Sequence, residues 1–216
     1  EVCKLGYNKK ISSAVINRLP RYYRYIGELY EKGVTRISSN ELSQRMNMTA
    51  SQIRQDLNNF GGFGQQGFGY AVDFLYNEIK KILGMDKSYN VIVIGGGNIG
   101  QALANYSEFN KLGINITAIF DANPKLIGMS IRGIKIYDID TLEDYIHNSN
   151  VDVAVLSLPK PQTAGVVSRL LLCGVNCFWN FSPIDLELPD NALIENVHLT
   201  ESLMTLLYRL NAASDN

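Results

Sequence analysis

The stretch from Val91 to Gly100 constrains the fold of this chain more than any other part of the sequence. Its first four residues, Val91–Ile94, are apolar and β-branched, which is typical of a buried strand in a parallel sheet. Glycines then follow at positions 95, 97 and 100 in the spacing G-x-G-x-x-G, and a helical pattern continues from Gln101. This order of strand, glycine turn and helix predicts a fold that binds a dinucleotide at the turn.

A second predicted strand supports that interpretation. Residues 114–120 are mostly apolar and end at Asp121, which lies 21 residues after Gly100. A carboxylate at about this spacing hydrogen-bonds the adenosine ribose and repels a 2′-phosphate, so the sequence favours NAD(H) over NADP. Asp121 also precedes Ala122-Asn123-Pro124 and can form a turn there, and the two roles are compatible.

The second half of the chain alternates between strand and helix patterns. Strands are predicted at 91–94, 114–120, 134–137, 151–156 and 175–180, and helices at about 98–111, 141–148 and 160–172. This alternation predicts an α/β fold with a mostly parallel sheet, which binds ligands at the carboxyl ends of its strands. The turns expected at that edge are 95–100, 121–125, 157–160 and 180–183, the last beside the nicotinamide half.

The residues before this fold have a different character. A helix is predicted from about Ser13 to Glu31, and Pro20 either kinks or restarts it. Ser38–Glu41 and Thr49–Gln52 both fit the capping box, and each is predicted to open a short helix. Two capped helices separated by a short turn predict a helix-turn-helix.

The second of these helices is predicted to present side chains that suit base edges and phosphates. They are Ser51, Gln52, Arg54, Gln55, Asn58 and Asn59. Glycine then alternates with aromatic residues from Phe60 to Tyr70, which predicts a hairpin around Gln65-Gln66-Gly67, the wing of a winged helix. Asp73 is predicted to cap a helix that ends near Gly84. The alternatives are an ordinary solvated helix face and a flexible linker.

Charge differs between the two halves of the chain. Residues 1–83 contain 12 Lys and Arg against 7 Asp and Glu, and residues 84–216 contain 8 against 14. A basic first part suggests contact with a polyanion.

Since the sequence has no membrane-length apolar run and no apolar leader, we expect a cytoplasmic protein. The three cysteines are expected to be reduced thiols, and two histidines offer no metal cluster.

The last predicted helix, from about Thr200 to Asn211, is apolar on more than one face. A helix of this kind needs burial, either on its own domain or on another subunit. We interpret it as a dimer element, and packing within one chain is the alternative.

Taken together, these motifs closely resemble the Rex family of redox-sensing transcriptional repressors, over nearly the whole chain. The segments that carry the resemblance are 18–25, 38–42, 52–57, 60–70, 97–100 and 180–183. The resemblance implies a winged helix-turn-helix domain (1–84), a Rossmann NAD(H)-binding domain (85–198) and a C-terminal helix (199–216) that is exchanged within a homodimer.

The resemblance also implies site residues. The cofactor residues would be Gly95, Gly97, Asn98, Ile99, Gly100, Asp121, Lys125, Leu158, Pro159, Ser182, Pro183 and Leu199. The DNA-binding residues would be Arg18, Arg21, Tyr22, Ser38, Thr49, Ser51, Gln52, Arg54, Gln55, Asn58, Gly64, Gln65, Gln66 and Gly67. Arg18 and Tyr106 resemble family residues that link the two domains.

The implied function is regulatory. Family members bind operator DNA with NAD⁺ or without cofactor, and they leave it when NADH rises; neither a metal nor a membrane is implied. The alternatives are a small NAD-dependent dehydrogenase with an accessory N-terminal domain and an NAD-gated module that binds protein. The enzyme alternative is disfavoured because neither His147 nor His198 belongs to an evident catalytic constellation.

The chain departs from the family pattern in two places. Gln65-Gln66 stand where many members have Lys-Arg, so phosphate attraction at the wing should weaken. His198 stands where many members have an acid that helps to report the cofactor state. A neutral imidazole cannot replace a carboxylate as the partner of an arginine, so the switch here is expected to use different residues.

Overall fold

The computed structural model describes residues 11–61, 63–65 and 68–214. The chain forms two compact units that divide between Lys87 and Ser88. Across the described ranges, no helix is both long and apolar enough to span a bilayer.

The first unit contains five helices and a small antiparallel sheet within its described residues. They are α1 (Ser13–Ile16), α2 (Leu19–Glu31), β1 (Arg36–Ile37), α3 (Ser39–Met46), α4 (Ala50–Asn58), β2 (Gly64–Gln65), β3 (Gly69–Ala71) and α5 (Val72–Ile82). The strand order is β1-β3-β2. Helices α3 and α4 are the predicted helix-turn-helix, and β2 and β3 form the predicted hairpin. Gln66 and Gly67, at its tip, lie outside the described residues.

Local signals decide where these helices begin. Pro20 lies at the start of α2, so the proline restarts the helix and does not kink it. The capping box is present at Ser38, where the Ser38 hydroxyl accepts from Glu41 N and the Glu41 carboxylate accepts from Ser38 N. At Thr49 only half of the box forms: the Thr49 hydroxyl accepts from Gln52 N, and the Gln52 side chain donates to Asp56. The prediction that Asp73 caps α5 is wrong, since the N-cap residue is Ala71.

The second unit is built on a seven-stranded sheet. Its elements are β4 (Tyr89–Ile94), α6 (Asn98–Ala104), α7 (Glu108–Lys111), β5 (Ile114–Asp121), β6 (Ser130–Ile131), β7 (Ile134–Asp138), a 3-10 turn (Ile139–Thr141), α8 (Leu142–His147), β8 (Val153–Leu156), α9 (Lys160–Leu172), β9 (Cys177–Asn180), β10 (Leu193–Asn196) and α10 (Leu199–Ser214). The strand order is β10-β9-β8-β4-β5-β7-β6. Every pair is parallel except β6 with β7.

Successive residues of the central strands point to opposite faces of this sheet. Ile92 and Ile94 join one buried cluster with Phe120, while Val91 and Val93 join the other. Both faces of β4 are therefore covered, as its continuous apolar run predicts. This two-sided burial holds the carboxyl ends of four neighbouring strands at one edge.

Three features of the second unit differ from the sequence prediction. The helix expected at 98–111 is interrupted after Ala104 and resumes at Glu108. Strand β6 was not predicted, and it has only two residues. Strand β10 was not predicted either, because an edge strand with mostly exposed side chains has no apolar alternation to reveal it.

Candidate functional site

Two of the fingerprint glycines are required by the protein's own packing. Gly95 has a φ of +104°, and a Cβ there would lie 2.6 Å from the carbonyl oxygen of Ser157. A Cβ on Gly100 would lie only 2.0 Å from the carbonyl oxygen of Gly95. Because both obstacles are backbone atoms, no side chain can move aside. These glycines therefore make the sharp turn and let α6 pack closely on β4.

Gly97 is different, because nothing in the chain itself requires a glycine there. A Cβ on Gly97 would meet no atom within 4 Å, and the residue is exposed. The missing side chain thus leaves open space outside the turn, where a bound group can approach the backbone.

Asp121 lies beside this turn at the end of β5. Its Oδ2 accepts a hydrogen bond from Gly96 N at 2.6 Å, and its Oδ1 accepts one from Asn123 N at 2.7 Å. The second bond forms the turn that the sequence predicts at 121–124. Asp121 is half-buried, and each carboxylate oxygen can accept more than one bond. The carboxylate is therefore held in place and retains acceptor capacity.

Two further loops complete this edge of the sheet. The Ser157 hydroxyl donates to the carbonyl oxygens of Ile94 and Gly95, at 3.1 and 2.9 Å. One residue later, Leu158 N donates to the Ser182 hydroxyl at 3.1 Å. These bonds join the loops after β4, β8 and β9, and the Asp121 bond adds the loop after β5. We call these four loops the carboxyl edge.

The carboxyl edge brings together most of the residues predicted to hold a cofactor. Gly95, Gly100 and Ser182 are buried in it, and Ile99 and Leu158 are half-buried. The exposed members are Gly97, Asn98, Lys125, Pro159 and Pro183. Leu199 begins α10 and is 61% exposed, three residues after the end of β10. In the described residues, no group of three or more His, Cys, Asp or Glu side chains could hold a metal.

In the first unit, the exposed face of α4 forms a shallow depression of about 440 Å³. Its lining side chains are Ser51, Arg54, Gln55, Asn58 and Asn59. Arg54 Nη1 donates to the Ser39 hydroxyl at 2.9 Å, which ties α4 to the start of α3. We call this depression the α4 face. Its donors and acceptors are of the kinds that pair with base edges in a major groove.

A charged cluster that the sequence analysis did not identify lies beneath the α4 face. The Asp56 carboxylate is 1% exposed. It accepts hydrogen bonds from Arg18 Nε at 2.6 Å and Arg18 Nη2 at 2.7 Å, from Gln52 at 2.8 Å and from the Tyr22 hydroxyl at 3.0 Å. The spacing from Ile53 to Asp56 to Phe60 places this acid on the apolar side of α4, which is the signal that could have revealed it.

Electrostatics agree with a structural role for this cluster. Burial raises the pKa of Asp56, but the hydrogen bonds from Arg18, Gln52 and Tyr22 outweigh burial and leave the pKa below its ordinary value. Burial is the larger cause that raises the pKa of Tyr22, and the hydrogen bond to Asp56 raises it further. The cluster therefore contains a carboxylate paired with a guanidinium and a neutral phenol.

Several predicted DNA contacts have other partners in this structure. Tyr22 is fully buried, and Gln52 and Arg18 both donate to Asp56. Arg21 is exposed and donates to the carbonyl oxygen of Met46. The α4 face and the helix starts at Ser38 and Thr49 therefore present predicted contact residues to solvent.

An arginine contacts the hairpin close to its tip. Arg36 Nη1 donates to the carbonyl oxygen of Phe68 at 2.9 Å, and its guanidinium lies 5.9 Å from the Phe68 ring centre. Gly64 packs against Tyr70, where a Cβ would lie 2.9 Å from the ring. The backbone of Gln65 pairs with Gly69. These contacts hold the two strands of the hairpin at the residues that flank its tip.

Tyr106, the predicted linking residue, is 55% exposed. Its ring contacts Phe109 edge-on, Phe109 contacts Trp179, and Trp179 contacts Phe181, with centroid separations of 4.9, 5.9 and 4.7 Å. Tyr106 therefore ends an aromatic row that reaches the carboxyl edge.

Two of the three cysteines lie in the described residues. Cys173 and Cys177 are both half-buried and free of disulfide bonds. Burial raises the pKa of each of these two thiols, which disfavours the thiolate form. Cys3 lies outside the described residues.

Comparisons with known proteins match both units. A family described as "CoA binding domain" matches residues 86–184, and one described as "Putative DNA-binding protein N-terminus" matches residues 10–58. Proteins named redox-sensing transcriptional repressor Rex are similar to this chain over nearly its whole length. The protein from Thermoanaerobacter pseudethanolicus is 57% identical over 94% of this chain and 90% of its own. The protein from Clostridioides difficile is 57% identical over 93% of this chain and 96% of its own.

Solved structures of a Rex-family repressor also match this chain. A crystal structure of RSP in complex with β-NAD⁺ and operator DNA matches with a TM-score of 0.90 and 54% identity, covering 96% of this chain and 95% of that one. RSP in complex with β-NADH matches with a TM-score of 0.88 and 52% identity, covering 96% of this chain and 97% of that one. RSP is described as a Rex-family repressor.

A winged-helix unit joined to a Rossmann-like unit defines a DNA-binding regulator with a nucleotide site. The chain belongs to the Rex family of redox-sensing transcriptional repressors. The resemblance stated from the sequence motifs is thereby confirmed. The dehydrogenase alternative is not supported, because these relatives are named as regulators.

Proposed function

We propose that this chain is a homodimeric, cytoplasmic repressor that binds operator DNA through the α4 face and the hairpin, and releases it when NADH occupies the carboxyl edge. The observation that carries the proposal is the match, over 96% of the chain, to a repressor crystallised with both β-NAD⁺ and operator DNA. The fit of the site supports it, because Gly97 leaves space outside the glycine turn and Asp121 stands beside it.

The chain's own residues suggest how the carboxyl edge would hold the cofactor. The amides of the glycine turn suit the pyrophosphate, Asp121 suits the adenosine ribose, and Leu158, Pro159, Ser182 and Pro183 would face the nicotinamide. NADH and NAD⁺ differ there by one charge. Apolar groups such as Pro183 exclude water and make burial of the uncharged ring less costly than burial of the cation.

We propose that α10 packs on a second copy of the chain, with the helix exchanged between subunits. The apolar side chains of this helix are exposed within one chain: Leu203 is 54% exposed, Met204 64% and Tyr208 74%. A cluster of this kind is typical of an interaction surface. Sedimentation of the Leu203→Asp variant tests this, since a dimer should become a monomer. A wild-type monomer at micromolar concentration would contradict the proposal.

Operator binding at fixed salt tests the central proposal. An operator duplex is first selected from a random library by the cofactor-free protein. Saturating NADH should then raise its Kd by about 5- to 150-fold, whereas NAD⁺ should not. Coenzyme A serves as the control ligand because a family described by that name matches the second unit. An NADH effect smaller than about twofold, or an equal effect of coenzyme A, would overturn the proposal.

A further inference from the structure

Asn180, the last residue of β9, has a buried side chain whose donors are fully used. Its exposed fraction is 0%. Nδ2 donates to the carbonyl oxygen of Ile184 at 2.9 Å and to Asn196 Oδ1 at 2.8 Å, and Oδ1 accepts from Ser182 N at 2.9 Å. The amide has two donor hydrogens, and each has a partner. Any displacement of one partner leaves a buried polar group unpaired, which is unfavourable.

These partners belong to two different parts of the second unit. Ser182 and Ile184 lie in the turn at residues 181–184, which belongs to the carboxyl edge. Asn196 ends β10 and precedes Leu199, the first residue of α10, by three positions. The backbone repeats the link, because Val197 N donates to the carbonyl oxygen of Asn180 at 2.8 Å. One residue thus connects the turn to the start of the terminal helix.

The same turn is bonded to the loop after β8. Leu158 N donates to the Ser182 hydroxyl, and Phe181 N donates to the carbonyl oxygen of Leu156 at 2.8 Å. A continuous run of hydrogen bonds therefore leads from Leu158 through Ser182 and Asn180 to Asn196. Its first half lies where the nicotinamide is proposed to bind, and its second half lies at the start of α10.

We infer that Asn180 is a positioning residue that couples the turn at 181–184 to the junction between β10 and α10. This inference rests on the proposed function of the carboxyl edge. When Ser182 or Leu158 shifts around a bound nicotinamide, Asn180 can keep all three of its side-chain bonds only if the residues at the junction shift as well. The junction moves with the turn, and the terminal helix is reoriented.

Variants of Asn196 test this coupling without changing the carboxyl edge. Asn196 is exposed, so the chain should tolerate its replacement. Asn196→Leu removes the side-chain oxygen that accepts from Asn180 Nδ2, whereas Asn196→Asp keeps an oxygen at that position. The matched control is Asn115→Leu at the opposite end of the sheet, where Asn115 donates to the Ser88 hydroxyl at 2.8 Å. Operator Kd is measured with and without saturating NADH, and NADH occupancy is followed by the fluorescence of Trp179, the one tryptophan in the sequence.

The NADH-dependent increase in operator Kd should shrink by about 2- to 30-fold in Asn196→Leu while NADH still saturates the protein. Asn196→Asp should restore it, and Asn115→Leu should leave it as in wild type. A wild-type response in Asn196→Leu, or an equal loss in Asn115→Leu, overturns the inference.

Hydrogen exchange separates this inference from the proposed function. If NADH does not change the operator Kd of the wild type, the proposed function fails. The hydrogen-exchange rate of the Val197 amide still decides whether the coupling exists. NADH should change that exchange rate in wild type and not in Asn196→Leu. The absence of a change in wild type, or the same change in both proteins, overturns the coupling.

Discussion

Each unit places one carboxylate next to its functional surface, and the two carboxylates are held in opposite ways. Asp56 is buried and receives its hydrogen bonds from side chains, those of Arg18, Tyr22 and Gln52. Asp121 is half-buried and receives its bonds from the backbone amides of Gly96 and Asn123. Asp56 thus supports α4 from its buried side, while Asp121 lies at the carboxyl edge itself. Replacement of Asp56 should therefore lower the stability of the fold, whereas replacement of Asp121 should lower ligand affinity.

The largest effect is expected from Asp56→Ala. This change leaves the guanidinium of Arg18 and the hydroxyl of Tyr22 without their partner, and it should lower the free energy of unfolding by about 3 kcal/mol. Urea denaturation followed by circular dichroism measures the loss. Glu31→Ala, an exposed acid in the same unit, is the control and should change stability by less than about 0.5 kcal/mol. Equal effects of the two variants would contradict the structural role of Asp56.

A pair of glycine variants sharpens the comparison within the second unit. Gly100→Ala forces a Cβ against the carbonyl oxygen of Gly95 and should lower the free energy of unfolding by about 1–3 kcal/mol. Gly97→Ala meets no protein atom, and its φ of −73° suits alanine, so the fold should keep its stability. Only the bound group should be obstructed, which predicts weaker NADH binding.

Titration of Trp179 fluorescence with NADH and thermal unfolding check both glycine variants. The expected pattern is a stable Gly97→Ala protein with a raised NADH Kd, next to a destabilised Gly100→Ala protein. Unchanged NADH affinity in Gly97→Ala would show that the cofactor does not approach this part of the turn.

On the α4 face, Arg54→Ala should weaken specific operator binding by about 1–3 kcal/mol if the guanidinium contacts a base. Arg45→Ala removes the same charge from an exposed position on α3 and serves as the control. Fluorescence anisotropy on operator and random duplexes at one salt concentration separates the two roles. An equal loss on random DNA would assign Arg54 to phosphate contact.

The sequence predicted elements that carry their own local signals. The capping box at Ser38, the glycine turn at Gly95 and the strand run at Val91 each define an element through nearby residues. What it did not predict depends on partners that are distant along the chain. The pairing of Arg18 with Asp56 spans 38 residues, and strand β10 is defined by its register against β9. The exposed face of α4 was well predicted except at Gln52, whose position next to a buried acid is not evident locally.

The smallest effect is expected at an ion pair of the second unit whose carboxylate is partly exposed, whereas that of Asp56 is buried. Arg169 binds Glu143 through two hydrogen bonds, at 2.5 and 2.6 Å, and lowers the pKa of Glu143 to about 2 from its ordinary 4.5. The pair therefore stabilises the fold above about pH 4.5, and this contribution is lost as the pH falls toward 2. Because the side chains are 31% and 37% exposed, solvent screening limits the contribution to about 0.5–1 kcal/mol.

Glu143→Gln tests this difference between a partly exposed and a buried carboxylate. At pH 7 the variant should be less stable than wild type by about 0.5–1 kcal/mol, and the gap should close between pH 4.5 and pH 2 as Glu143 in the wild type becomes protonated. Urea denaturation at several pH values measures the gap, and added salt should narrow it at pH 7 because exposed charges are screened. A gap that is constant across this range would mean that Glu143 acts through packing, and the contrast with Asp56 would then lie in burial alone and not in charge.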